Sequence, residues 1–141
     1  MYTGLIKMQE EALVHLFFHC CMKDGKFTGD EVDNVAAKLV AFNLQERLNF
    51  KDEMLKYKSY APQIADEEAY LQYLIGVLKP VSELALFSYC AELCLSDGDL
   101  STGEDILLAK IARLLGITET DSAVLQKLLV QRKVVETEKI F

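Results

Sequence analysis

An all-α fold, a single bundle of about seven helices built from two repeated helix-loop-helix halves, is what this sequence predicts. Three observations carry that reading. The apolar residues recur with the helical period, and no stretch alternates as a strand would. Residues Ser82–Ile117 slide back by 73 positions onto Gln9–Leu44 without a gap, bringing Asp97-Gly98 onto Asp24-Gly25, Glu104 onto Glu31, Cys94 onto Cys21 and Ala109 onto Ala36. An ungapped internal match of that length marks one supersecondary unit used twice. The 141 residues have no linker long enough to separate domains, so residues 1–141 read as one domain burying roughly two-thirds of its unfolded surface.

In chain order, the first long helix runs from about Met8 to Lys23. It is apolar almost all round (Leu13, Val14, Leu16, Phe17, Phe18, Cys20, Cys21), which places it at the centre of a bundle. Asp24-Gly25 ends it, since Gly takes a left-handed cap without strain. Thr28 and Glu31 have the spacing of a capping box, with Phe27 and Val32 as its hydrophobic staple. The helix that follows directs Val32, Val35, Ala36, Leu39 and Val40 inward and closes at Asn43, a residue that tolerates the left-handed region. A third helix near Asn49–Ser59 carries Phe50, Met54, Leu55 and Tyr57. A fourth is capped by Asp66, carries Leu71, Leu74, Ile75 and Leu78, and stops before Pro80.

The fifth helix repeats the first, with Leu84, Leu86, Phe87, Cys90, Leu93 and Cys94. After Asp97-Gly98, Ser101 and Glu104 restore the capping box, Ile106, Leu107, Ile111, Leu114 and Leu115 supply the core, and Gly116 takes the place of Asn43. A seventh helix, capped by Thr118 or Thr120, carries Val124, Leu125, Leu128 and Leu129 and ends at Arg132-Lys133. Residues Val134–Phe141 show neither cap nor stripe.

The formal net charge of −7 speaks against unaided nucleic-acid binding, which needs clustered Lys and Arg. No apolar run is long enough to span a bilayer. The N-terminal stretch lacks a signal peptide's apolar core, and the four cysteines sit inside apolar helical segments, as thiols do in a reducing compartment. The expected location is therefore cytoplasmic.

Two constellations could carry chemistry. Asp97, Asp99, Ser101, Glu104 and Asp105 place several oxygens within one turn, which suits a hard cation, although capping alone accounts for the Ser/Glu spacing. An EF-hand is excluded, because its twelfth position, counted from Asp97, is Leu108. His15 and His19 share one helical face, and the repeat maps them onto Ser88 and Glu92. These polar pairs are solvent strips or satisfied core residues, or else the two strips meet and a histidine pairs with Glu92, which would raise its pKa. A zinc site from His15, His19, Cys90 and Cys94 has suitable spacing, but the repeat puts the two cysteines on the opposite side of their helix from Ser88 and Glu92. Tyr57, Tyr60, Tyr70 and Tyr73 fall in the unrepeated middle, as a partner surface or as residues of the core edge.

The segment SDGDLSTGEDILLAKIARLLGI, with MKDGKFTGDEVDNVAAKLVAF as a looser copy, resembles the TerB-like family of tellurite-resistance proteins. The resemblance implies a compact helical fold, no enzymatic activity, no required cofactor and a part in bacterial stress and tellurite resistance. It also implies divalent-cation binding, calcium or magnesium, at Asp24 and Glu31 in one copy and at Asp97 and Glu104 in the other, with Asp99 added in the second loop where the first has Lys26. The expected protein is then a non-enzymatic binding module with a protein partner. Its rivals are a pure interaction domain whose acids serve as caps, and a metal-dependent enzyme using His15, His19 and Glu92.

Overall fold

The computed structural model describes residues 2–23, 29–95, 100–136, 138 and 140, with the side chain of residue 30 excepted. All regular structure among them is helical. The elements are α1 (Tyr2–Leu5), α2 (Gln9–Met22), α3 (Gly29–Ala41), α4 (Phe50–Tyr60), a 3-10 turn at Ala61–Gln63, α5 (Glu67–Leu78), α6 (Glu83–Cys94), α7 (Thr102–Leu114) and α8 (Glu119–Glu136). Two of these lie outside the expectation, namely α1 and the 3-10 turn. Helix α8 also continues past Lys133 to Glu136, so residues 134–136 are helical.

Helix α2 is the axis of the fold and packs against α3, α4, α5 and α6. Its apolar surface is shared out among them, leaving Val14, Leu16, Phe17, Phe18, Cys20 and Cys21 with no exposure. Its start is held by Glu11, whose carboxylate accepts from the amides of Lys7 and Met8 at 3.2 and 3.1 Å.

The caps follow the side-chain chemistry. Asn49 accepts from the Asp52 amide, Asp66 from Ala69, Ser82 from Ala85 and Thr118 from Asp121, each at 3.0–3.2 Å. Ser101 and Glu104 form the reciprocal box: the Glu104 amide donates to the Ser101 hydroxyl at 3.1 Å, and the Ser101 amide to the Glu104 carboxylate at 3.0 Å. The matching box at Thr28 lies outside the described residues.

Helices α3 and α7 end with the same bonds. Leu44 and Asn43 donate to Leu39 and Val40 at 2.8 and 3.0 Å, and Ile117 and Gly116 donate to Ala112 and Arg113 at 2.8 and 3.2 Å. Asn43 and Gly116 take φ of 63° and 73° there, the left-handed turn of a Schellman motif. Lys79 also turns left-handed (φ 47°), because Pro80 denies it the right-handed helical region.

Several stripes are rotated from their expected faces. Val40, Leu55, Leu84, Ile106, Val124 and Leu128 are exposed. On α4 the inward stripe is Phe50, Glu53, Tyr57 and Tyr60, at i, i+3, i+7 and i+10, so an acid occupies a core position.

Candidate functional site

His15 and His19 are the polar residues in the middle of the central helix, and both are buried, at 0% and 7% exposure. They do not meet Ser88 or Glu92. Of the alternatives, pairing with Glu92 and a solvent strip are both overturned, since that carboxylate is half exposed and pairs with Lys38 on α3 at 3.3 Å, and the histidines are satisfied core residues. Instead α4 and α5 close over the histidine face of α2 and bring it tyrosines and glutamates.

Two parallel Tyr–His–Glu chains result. In the first, His15 Nδ1 lies 2.6 Å from the Tyr60 hydroxyl and Nε2 lies 3.1 Å from Glu53 Oε1. The Tyr60 hydroxyl lies 2.6 Å from that of Tyr70, and Lys56 donates to Glu53 Oε2 at 3.0 Å. The carboxylate can only accept, so Nε2 carries the proton and donates, and Nδ1 of the neutral ring accepts from Tyr60. Tyr60 then accepts from Tyr70, which fixes the sense of the chain. Burial holds the His15 pKa below its ordinary value despite the Glu53 hydrogen bond, the reverse of the raised value expected for a paired histidine. Burial likewise pushes the Tyr60 and Tyr70 hydroxyls well above theirs.

In the second chain, His19 Nδ1 lies 2.8 Å from the Tyr57 hydroxyl and Nε2 lies 2.9 Å from Glu67 Oε2. Glu67, at the start of α5, also receives Lys23 from the end of α2 and Lys110 from α7, the latter at 2.9 Å. Its carboxyl is held well below the usual carboxylate range, first by the His19 hydrogen bond and then by the two lysines. A pocket of about 420 Å³ opens at this second chain, between the charged cluster and an apolar wall that includes Met22 and Ile64. The first chain is closed off.

The tyrosines therefore belong to the core. Tyr57, Tyr60 and Tyr70 are buried, and Tyr73 donates to the carbonyls of Ile6 and Thr3. Tyr2 of α1 packs on Tyr60, Tyr70 and Tyr73 with ring centroids 5.8, 4.9 and 5.6 Å apart, so the unexpected helix is the lid of this aromatic cluster. Among the described residues no buried side-chain nitrogen or oxygen lacks a hydrogen-bond partner.

The remaining expectations are placed as follows. Cys20, Cys21, Cys90 and Cys94 form no disulfide and are buried. The zinc combination is not assembled: the ring nitrogens of both histidines are taken by Tyr and Glu. Among the described residues no group of three His, Cys, Asp or Glu is arranged to hold a metal. Asp24, Asp97 and Asp99 lie outside the described residues. Glu104 is buried as the cap of α7, and Glu31 is half-buried in the first turn of α3. Both carboxylates act on one thiol, Cys21, which burial pushes up first and their charges push further. Glu53, Glu67, Lys23 and Lys110 were not anticipated. Glu53 alone was signalled, by its register on the inward stripe of α4.

A family model described as tellurite resistance protein TerB matches residues 10–127. No curated protein and no solved structure gives a significant match. Among the described residues no helix is long and apolar enough to cross a membrane.

Proposed function

The chain belongs to the TerB family, and from that premise we propose that it is a non-enzymatic cytoplasmic binding module of a stress response that takes a divalent cation weakly at its acidic loops and recruits a protein partner. Asp97 and Asp99 would supply the main ligands, with Glu104, Asp24 and Glu31 beside them. Calcium or magnesium suits such an all-oxygen set.

One observation carries this reading. The start of α7, which follows the second loop, packs against the end of α2, where the first loop leaves. Gly103 lies against the side chain of Lys23: a Cβ at Gly103 would sit 3.7 Å from Lys23 Cε. Loops leaving from one place can share a cation. A rival reading, a pure interaction domain whose acids are caps, has the Ser101–Glu104 box in its favour.

A thermal melt separates the two. Calcium, magnesium or manganese at a hundred times its dissociation constant should stabilise the fold by about 2.7 kcal/mol. Asp97→Asn with Asp99→Asn should abolish that gain. Wild-type protein that melts alike in all three ions and in chelator leaves the acids as caps and overturns the cation reading.

A further inference from the structure

The pocket beside Glu67 contains none of the loop acids. Its charged side is built by three elements converging on one carboxylate: His19 and Lys23 from α2, Lys110 from α7, and Glu67 itself on α5. Two ammonium groups thus share a single carboxylate, so the two lysines and Glu67 together carry one surplus positive charge. Of the acids flanking Glu67, Glu68 is paired with Arg113 at 2.7 Å, and Asp66 is turned to the Ala69 amide as the cap of α5. Each ammonium has three protons and, among the described residues, spends one of them on Glu67. At 25% and 30% side-chain exposure, the two lysines also reach the solvent side of the pocket.

We propose that this pocket binds a small organic monocarboxylate, its carboxylate bridged by Lys23 and Lys110 and its apolar body laid against Met22 and Ile64. A pocket of about 420 Å³ lies within the range that encloses small ligands. One monoanion neutralises the surplus charge, whereas a phosphate dianion would leave a net negative cluster beside Glu67. A divalent cation is rejected, since both Glu67 oxygens already accept from cationic or N–H donors and the local charge is positive. Glu67 stands as a built-in competitor, holding the lysines in place when no ligand is present.

The test titrates the full chain with acetate, butanoate and hexanoate, and separately with inorganic phosphate, all in chelator so that the outcome is independent of the loop cation. Calorimetry gives affinity, and the imidazole resonances of His19 report occupancy while those of His15 serve as a closed control. Binding should move the His19 signals and tighten about three- to fourfold for each methylene that reaches the apolar wall. Lys110→Met should weaken butanoate about tenfold or more, the loss of one charge-assisted hydrogen bond. Glu67→Gln removes the competitor and should tighten butanoate several-fold. Circular dichroism establishes that each variant folds, and Lys23→Met, expected to weaken binding as Lys110→Met does, replaces Lys110→Met should that one fail. His19 signals that stay still with every carboxylate overturn the proposal. So does phosphate binding as well as hexanoate, or a folded Glu67→Gln that binds no tighter than wild type.

Discussion

Tyr60 is the hinge of the buried polar chain, donating to His15 Nδ1 and accepting from Tyr70. Tyr60→Phe strands an imidazole acceptor and a hydroxyl donor in the core, and a buried polar group without its partner costs about 1–3 kcal/mol. Chemical denaturation of the variant should show a loss of that size. His15 gives the chain a pH dependence of definite sign. Burial lowers its folded pKa below 6.5, so as pH falls the unfolded chain binds the proton first. Stability on this account is full above about pH 6.5 and is lost as pH falls from there towards the folded value. Between about pH 7.5 and about pH 5.5 the denaturation midpoint should fall further in wild type than in His15→Gln. Equal falls would remove His15 as the cause. Pairing with Glu92 would have produced the opposite slope. The difference arises because the partner that arrives, Glu53, is itself buried and its hydrogen bond does not repay the desolvation of the ring.

At the scale of the element, caps were the legible feature and faces were not. Asp66, Ser101 and Thr118 cap where the sequence places caps, and Asn49 and Ser82 cap as well, because a cap needs only a short oxygen-bearing side chain and the next three residues. Ser101→Ala should therefore cost about 0.5–2 kcal/mol. Gly116→Ala, at φ 73°, should cost about 1–2 kcal/mol, since a Cβ crowds the left-handed turn. Both losses are read from thermal melts, and a Gly116→Ala variant as stable as wild type would contradict the turn assignment. Faces fared worse wherever a helix carries more apolar residues than one stripe can hold. Helix α8 turns Val124 and Leu128 outward and keeps only Leu125 and Leu129 half-buried, a choice made by the helix it lies against, α6.

Over the whole molecule, α3 (Gly29–Ala41) and α7 (Thr102–Leu114) coincide residue for residue at the offset of 73, and their closing turns share the same hydrogen bonds. We expect the two helix-loop-helix units to be related by an approximate twofold, which superposition in an experimental structure will check. A pure translation would overturn it. The helical class, the repeat offset, the caps and the central position of α2 were all determined by the sequence alone, because each is local or periodic. Tertiary structure alone decided what the histidines touch. The repeat compares α2 with α6, and it is silent about α4 and α5, which have no counterparts and which carry Tyr57, Tyr60, Glu53, Glu67 and Tyr70 to the histidine face. Contacts between residues 38 to 48 positions apart, such as His15 with Glu53 and His19 with Glu67, leave no period in a sequence. They exist because a buried imidazole must find hydrogen-bond partners, and the helices that pack over it supply them.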